Sequence, residues 1–496
     1  MKAKTMLVTG LACFALGVSS MALVGARSEA SDDLYRELKP LMETVTLIQA
    51  SYVDEDKAKS KDLIQAAIKG MVGNLDPFSQ YMDVQENNDM KQETQGSFGG
   101  LGIEITVKNK VLTVVSPIED TPADKAGLKT GDGILKINGE PTDSLQLMDA
   151  VHKLRGEPGT KVTITVFRDS FTAPKDFTLT RAVIKIRTVK SNMLENKVGY
   201  IRLSQFMGSC DVDFEKALQG LKDKGATDLI VDVRNNPGGL LDASAAIASH
   251  FVPKGETVVS IAGRSKGSVK TYSSDGGLGW KGPLVVLING GSASASEILA
   301  GAVQDHASGV IVGVKSFGKG SVQTIMSLSD GSALRLTTAK YLTPKGRTIH
   351  GLGITPDVDA EDELLSKVYV ELADKGLFES FAKEYLLGHP GFNFDDEAKK
   401  AVKVSDTWEH LKPETRESKV AKDFMDYVQS KSKDFTDEEL IRDRGRIMGR
   451  IKEEIVRLGK GEDAARAVAL SNDSQIRRAL DVLKVAELMK GRSHGK

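Results

Sequence analysis

The sequence predicts a multidomain α/β (α+β) protein with helical regions at both ends. Its 496 residues exceed one ordinary core, so about two to four domains are expected. Between residues 189 and 358, apolar strand patterns alternate with helical patterns, which is typical of a mainly parallel sheet. Residues 31–93 and 359–496 instead carry apolar residues at three- and four-residue spacing, which indicates helices.

The composition is that of a globular protein and gives no support for nucleic-acid binding. The chain is 40% hydrophobic and 27% charged, as in ordinary globular proteins. Lys and Arg total 67 against 68 Asp and Glu, giving a net charge of -1, so no basic excess supports nucleic-acid binding. Of the two cysteines, Cys13 lies in the predicted targeting segment and Cys210 does not. The mature chain is therefore expected to lack an internal disulfide, which leaves its compartment open.

Residues 1–30 have the layout of a signal peptide. Lys2 and Lys4 precede an apolar run over 6–26, which ends in small residues. The run is also long enough to span a bilayer as an uncleaved anchor. We expect an exported chain in the bacterial periplasm, with the segment either cleaved or retained as an inner-membrane anchor.

From about 94 to 188 the sequence is rich in glycine and in short runs of alternating residues that predict β-strands. Four short motifs follow one another, namely Gly100-Leu101-Gly102-Ile103, Ala126-Gly127-Leu128, Gly131-Asp132 and Ile137-Asn138-Gly139. In this order they resemble a PDZ domain. The resemblance implies a carboxylate-binding loop at 100–103 and a groove that accepts an added peptide strand. The alternative is a small β-barrel without a peptide ligand.

The most informative segment follows the apolar strand at 284–288. Gly290 and Gly291 lead into a helical pattern, and Ser294 with Glu297 forms a Ser-x-x-Glu capping box, which places Ser294 where the helix begins. Free backbone N–H groups and the positive helix end favour a developing oxyanion there. Ser294 could instead do no more than cap a helix.

The N–H of Ala295 is the natural oxyanion donor. A second donor could come from Gly238 or Gly239, which also follow the end of a strand. Glycine at those positions would let the backbone approach a substrate carbonyl closely.

A serine nucleophile needs a base, and Lys319 is a better candidate than a histidine. His306 lies twelve residues along the same predicted helix, hence about 18 Å away from Ser294. A lysine can accept a proton when burial lowers its pKa. Residues 321–325 alternate as a strand would, so Lys319, Ser321 and Gln323 share one face, where the neutral amide of Gln323 could hold the amine. The alternative is an exposed turn lysine.

A competing motif overlaps this lysine. Residues 313–319 match the spacing of a phosphate-binding loop up to Lys319. That loop next requires Ser or Thr and then a helix, whereas Gly320 and a strand pattern follow here. We therefore expect no nucleotide, no metal and no cofactor.

Taken together, the chain resembles the carboxyl-terminal processing proteases, the tail-specific family with Ser-Lys catalysis. The motifs that carry the resemblance are Arg234 to Gly239, Ser292 to Glu297, Phe317 to Gly320 and Tyr341 to Arg347. The family implies a ClpP/crotonase-like protease core with an inserted PDZ domain. It also implies Ser294 as nucleophile, Lys319 as base and Gln323 as the residue that orients the base.

The resemblance implies a serine endopeptidase that cleaves proteins near flexible C-termini and is gated by its PDZ domain. Its partners would be proteins or peptides with free C-termini. The helical ends could mediate homo-oligomerisation, bind an adaptor protein or cap a monomeric core. The alternative function is a catalytically silent PDZ scaffold that only binds peptides.

Overall fold

The computed structural model describes residues 33–108, 110–118, 120–168, 170–265, 267, 269–361, 365–390, 392 and 416–493. The predicted targeting segment, 1–30, lies outside the described residues. The chain divides into two compact units. Among the described residues, the first joins those up to Asn87 with Gln323–Thr337, and the second joins Asn88–Val322 with those from Thr338 onward.

The first unit combines the N-terminal helices with a hairpin from far along the chain. Residues 33–51 are helical, and further elements are a 3-10 helix at Glu55–Lys57, a helix at Ser60–Gly73 and a strand at Gln80–Met82. This strand pairs antiparallel with residues 333–335 of strand Ala333–Leu342. Asp76 shapes the preceding turn, since its Oδ1 accepts the N–H groups of Phe78 and Ser79.

The second unit opens with the predicted PDZ domain. After helix Val84–Thr94, strand Ser97–Gly100 pairs with strand Ala182–Lys185. Between them lie a six-stranded antiparallel sheet and two short helices, Pro122–Lys125 and Leu147–Leu154. The sheet strands are Ile103–Lys108, Val111–Pro117, Gly133–Ile137, Glu140–Pro141, Lys161–Phe167 and Lys175–Thr180. Ile103–Lys108 stands at one end of the strand order, so its outer backbone faces no neighbouring strand of this sheet.

The predicted protease core contains a second six-stranded sheet, which is mainly parallel as predicted. Its strands, in spatial order, are Val189–Met193, Val198–Leu203, Asp228–Asp232, Leu284–Ile288, Val310–Gly313 and Val358–Asp359. The first pair is antiparallel and the remaining pairs are parallel. Three helices between the strands, Cys210–Asp223, Leu241–Ser249 and Ala295–Asp305, pack against one side, which we call the first face.

Side chains alternate between the two faces of this sheet. Leu229, Val231 and Val286 point into the first-face core, whereas Ile230 and Val285 point to the opposite side, the second face. Both faces are covered, which explains why the central strands are continuously apolar.

A smaller antiparallel sheet completes the core. Strand Thr257–Gly263 pairs with Val269–Ser273 on one side and with residues 339–342 on the other. Strand Ser321–Ser327 follows the predicted lysine loop and crosses from the second unit into the first.

The C-terminal region is helical, as predicted, and has two parts. Its helices are Lys367–Asp374, Leu377–Gly388, Arg416–Lys431, Asp437–Arg442, Arg444–Lys460, Glu462–Asn472 and Ser474–Ser493. The earlier ones build a separate aromatic core around Phe378, Phe381 and Phe424. The last helix, Ser474–Ser493, instead covers the second face of the protease sheet with Ile476, Ala479 and Leu483. Among the described residues, no helix combines the length and apolar character needed to cross a bilayer.

Candidate active site

Ser294 stands on a strained turn between strand Leu284–Ile288 and helix Ala295–Asp305. Its backbone has φ 54 and ψ -112, a combination that residues with a side chain rarely adopt. Such a conformation costs on the order of 1–3 kcal/mol, and the surrounding structure must enforce it. The side chain is 6% exposed, so it lies in a sheltered position at the start of the helix.

Hydrogen bonds connect this turn to the loop that follows strand Asp228–Asp232. The backbone N–H of Asn235 donates to Asn289 Oδ1 at 2.8 Å, and Asn289 Nδ2 donates to Asn235 Oδ1 at 3.0 Å. The carbonyl of Asn236 accepts the N–H of Ala293 at 3.0 Å and the hydroxyl of Ser296 at 2.9 Å. These bonds hold the predicted oxyanion loop beside the predicted nucleophile.

Glu297 connects Ser294 to the lysine loop. Its Oε2 accepts the backbone N–H of Ser294 and that of Lys319, each at 2.8 Å. Its Oε1 accepts the Ser316 hydroxyl at 2.6 Å and the Gly318 N–H at 2.7 Å. Burial raises the pKa of this carboxyl above its ordinary value, although the four donors oppose that shift. One fully buried carboxylate thus fixes both segments.

The lysine loop packs tightly because its glycines allow it. A Cβ at Gly320 would lie 2.3 Å from the backbone nitrogen of His350. Gly318 has φ 92, and the N–H of Phe317 donates to the carbonyl of Ser292 at 3.0 Å. The Lys319 side chain is half-buried.

Tyr341 is a polar neighbour of the nucleophile that the sequence analysis missed. The residue is 5% exposed, and its phenol lies near enough to the side chain of Ser294 for that side chain to influence its pKa. Burial raises the pKa of the Tyr341 phenol above its ordinary value, and the Ser294 side chain opposes the shift. The available signal was a lone tyrosine in the Tyr341 to Arg347 motif, and nothing local connects it with position 294.

The glycines after Asn236 lie against Ser294. A Cβ at Gly238 would lie 2.8 Å from the Cβ of Ser294 and 2.9 Å from the backbone nitrogen of Ala295. The N–H of Gly238 donates to the side-chain oxygen of Asn236 at 2.9 Å. Gly239 is close to the carbonyl of Phe206, which a Cβ there would approach to 1.9 Å. Within the described part of the chain, the N–H groups of Ala295 and Gly239 have no hydrogen-bond acceptor.

Gln323 belongs to the first unit. Its Nε2 donates to Thr337 Oγ1 at 3.2 Å, and that hydroxyl donates to Asp76 Oδ1 at 3.2 Å. The predicted action of Gln323 on Lys319 therefore stays a prediction.

The far end of the nucleophile helix has other contacts. His306 follows the helix, and its Nε2 lies 2.7 Å from the carbonyl oxygen of Thr257. Asp305 forms an ion pair with Arg347 and accepts the N–H of Lys345 at 2.8 Å. His306 therefore contacts the first residue of strand Thr257–Gly263, and Asp305 contacts the turn after strand Ala333–Leu342.

In the PDZ domain, the predicted carboxylate-binding loop is compact. Gly102 has φ 76, and a Cβ there would lie 2.3 Å from the Cβ of Thr121. Leu101 is buried and its carbonyl accepts the N–H of Ala123 at 3.0 Å. Gly100 ends the preceding strand and Ile103 begins the strand with the open edge.

Comparisons with known proteins agree with this architecture. Residues 197–360 match the sequence model of Peptidase family S41, and residues 99–178 match that of the PDZ domain. Residues 16–86 match the N-terminal domain of the activating protease CtpB.

Individual relatives extend the match over most of the chain. The carboxy-terminal-processing protease of Bartonella bacilliformis is 42% identical over 389 residues, covering 76% of this chain and 87% of that protein. The carboxy-terminal processing protease CtpB of Bacillus subtilis is 38% identical, covering 68% of this chain and 70% of that protein. A solved photosystem II D1 C-terminal processing protease is 30% identical, with a TM-score of 0.39, covering 64% of this chain and 92% of that one. The chain thus belongs to peptidase family S41, as a serine-type, PDZ-containing member of the carboxy-terminal-processing proteases.

Proposed function

We propose that this peptidase cleaves proteins near flexible C-termini, with Ser294 as nucleophile and Lys319 as its base. The observation that carries the proposal is the shared acceptor: the backbone nitrogens of both residues lie 2.8 Å from one oxygen of Glu297. A nucleophile and its base must lie within hydrogen-bond reach during the reaction, and a common anchor keeps their main chains adjacent.

In this mechanism the Ser294 hydroxyl attacks the scissile carbonyl while the Lys319 amine takes its proton. The amine then protonates the leaving nitrogen, and the peptide bond breaks to leave an acyl-enzyme. Water hydrolyses that ester with Lys319 again as base. Tyr341 is a poor alternative base, because burial raises its pKa and the phenol stays neutral at pH 7.

The oxyanion would be bound by the N–H groups of Ala295 and Gly239. Both N–H groups have no acceptor among the described residues, whereas that of Gly238 is engaged by Asn236. Preorganised donors of this kind stabilise the charge that develops in the tetrahedral intermediate. Gly238 would then contribute by leaving room beside Ser294.

Substrate recognition would begin at the PDZ domain. The edge strand Ile103–Lys108 can accept an added peptide strand, and the loop at 100–103 could receive the terminal carboxylate. Met148, on the helix Leu147–Leu154, is 59% exposed and offers apolar surface for a peptide side chain. Occupancy of this domain would gate access to the protease core.

In the proposed mechanism, Gln323 orients the Lys319 amine.

The decisive experiment is cleavage mapping on an unstructured peptide with wild type, Ser294→Ala and Lys319→Ala. Each substitution should lower the rate by at least about 10³-fold, since members of a catalytic unit lose function together. Lys315→Ala is the matched control, because Lys315 is an exposed lysine of the same loop, and it should cleave normally. A Lys319→Ala protein that cleaves as fast as wild type would contradict the proposal. Activity should also rise with pH, since the base must be a neutral amine.

A silent PDZ scaffold is the alternative, and covalent labelling separates the two. A fluorophosphonate should label wild type and leave Ser294→Ala unlabelled. Peptide binding without labelling or cleavage under any tested condition would favour the scaffold.

We further propose self-association through the helical ends, with adaptor binding as the competing use of the same surface. In helix 33–51, Leu34, Leu38, Met42 and Leu47 are between 40% and 65% exposed. Light scattering on the full chain should give a mass above the monomer, and Leu38→Glu with Met42→Glu should lower it. A wild-type monomer would contradict self-association.

Export is proposed from the first 26 residues alone. Fractionation of cells that make the tagged full chain should recover it outside the cytoplasm. N-terminal sequencing would distinguish cleavage near residue 26 or 30 from a retained anchor. Recovery in the cytoplasm would contradict export.

A further inference from the structure

Arg234 connects the oxyanion loop to the start of the last helix. It lies two residues beyond Asp232, where the central strand ends, and it begins the loop that leads to Gly238. Its guanidinium makes a bidentate pair with Asp232, of 3.0 Å from Nε and 2.7 Å from Nη2. The same Nη2 lies 2.8 Å from a carboxylate oxygen of Asp473. One arginine thus connects the sheet to a residue 239 positions later in the chain.

Asp473 has two functions at the start of that helix. Its Oδ1 accepts the N–H of Ile476 at 3.0 Å, which caps the helix, and lies 3.1 Å from Arg234 Nη1. Its neighbour Gln475, 1% exposed, accepts a hydrogen bond from the same Nη1 at 2.6 Å. The amide of Gln475 donates to the carbonyl of Ala360 at 2.7 Å. These hydrogen bonds therefore connect the start of the last helix to Arg234 and to Ala360, at the edge of the sheet.

The charges in this cluster balance. Arg202 also pairs with Asp232, at 2.8 Å, so two guanidiniums face the two carboxylates of Asp232 and Asp473. Burial would raise the pKa of Asp232, but the hydrogen bond and charge of Arg234 outweigh it and hold that pKa below its ordinary value. Neutralising Asp473 would leave two cations against one buried carboxylate. An uncompensated charge in a desolvated site is unfavourable, so the Arg234 side chain would move.

Movement of Arg234 would reach the reaction centre through the next two residues. The N–H of Asn235 donates to Asn289 at 2.8 Å, and the carbonyl of Asn236 accepts the N–H of Ala293 at 3.0 Å. These bonds join the loop to the segment directly before the nucleophile. A shift at the loop's first residue therefore displaces both the candidate oxyanion donor and the turn beside it.

We infer that Asp473 is a positioning residue for the acylation step, because it holds Arg234 and thereby fixes the oxyanion loop. The inference rests on the proposed function, which supplies the oxyanion role of that loop. Asparagine caps helices as well as aspartate does, so the negative charge at position 473 is needed for more than the cap. The last helix then affects catalysis, through Arg234, as well as stability.

The test compares wild type, Asp473→Asn, Asp473→Glu and Asp463→Asn in the full chain. We expect Asp473→Asn to lower kcat about tenfold with KM unchanged, because a displaced oxyanion donor loses part of the 10²–10³-fold effect of a deleted one. Helix content by circular dichroism should be retained, and Asp473→Glu should recover part of kcat. Asp463→Asn is the matched control, since its side chain is 93% exposed in the neighbouring helix, and it should leave kcat unchanged.

Two outcomes would overturn the inference. One is an unchanged kcat in Asp473→Asn. The other is a loss of kcat that simply follows a loss of folded protein, measured by thermal unfolding in the same buffer. Ser294→Ala, run beside them, distinguishes this failure from failure of the proposed function. If Ser294→Ala is inactive but Asp473→Asn is normal, the proposed function stands and the inference does not.

Discussion

The two faces of the protease sheet are equally buried but are covered in different ways. The first face is covered by three helices that lie between the strands in sequence, and one of them starts at Ser294. The second face is covered by a helix from the end of the chain, which contributes Ile476, Ala479 and Leu483. One of the first-face helices begins at the candidate nucleophile. The last helix instead excludes water from the second face of the sheet. Substitutions on each face can separate these two contributions.

The largest effect is expected from a charge placed in the second-face cover. Ile476 is 1% exposed, so Ile476→Asp would bury a carboxylate without a cationic partner and should destabilise the protein by about 4 kcal/mol or more. Val485→Asp, on the same helix at 55% exposure, is the control and should have little effect. Thermal unfolding and soluble yield measure both. Equal stability of the two variants would mean that the last helix does not cover the sheet in solution.

A matched pair on one strand compares the faces directly. Val285 and Val286 are both fully buried neighbours, and they point to the second and first faces respectively. Val285→Ala and Val286→Ala should each cost about 1–3 kcal/mol, since each leaves a similar cavity. Urea unfolding gives both values. A Val285→Ala cost close to zero would show that the second face is loosely packed.

Glu297→Gln should affect the first face through its hydrogen bonds. An amide has one acceptor oxygen, so two of the four donors to Glu297 would meet an NH₂ group, at about 1–3 kcal/mol for each lost partner. Activity should fall at least about tenfold, measured by peptide cleavage. Glu439→Gln is the control, because Glu439 occupies the same capping-box position beside Thr436 in solvent. Wild-type activity in Glu297→Gln would contradict the linking role of this carboxylate.

The smallest expected effect is the reaction of Cys210 with a thiol reagent, which should be very slow in the folded protein. Cys210 belongs to the first-face core, is 1% exposed and has a pKa raised by burial to about 11. At pH 8 only about one thiol in a thousand would be ionised, so a maleimide should react very slowly in a Cys13→Ser background. Rapid labelling of folded protein would show that the first face opens. The same reaction in Ile476→Asp reports whether damage to one face reaches the other.

Local patterns predicted much of this architecture. The uninterrupted apolar run at 284–288 indicated a strand buried on both sides, and Ser-x-x-Glu at 294–297 placed the serine at a helix start. The ordered motifs from Gly100 to Gly139 predicted the PDZ domain, which is confirmed. Each of these signals depends on residues close together in sequence, where geometry follows from spacing.

Long-range partners could not be predicted in the same way. Glu297 looked like a cap alone, because its bonds to Gly318 and Lys319 need a loop more than twenty residues later. Nothing local at Asp473 points to Arg234, 239 positions away. The joining of residues 323–337 with the N-terminal helices also depends on tertiary pairing rather than on periodicity.

The backbone of Ser294 has a consequence for how this enzyme can change over time. A residue held at φ 54 with a side chain stores free energy that glycine would release, so Ser294→Gly, which removes the proposed nucleophile, would leave a more stable fold. In the proposed mechanism, activity and stability are therefore opposed at this position. Screens that reward heat resistance alone would then enrich variants that lack the proposed nucleophile.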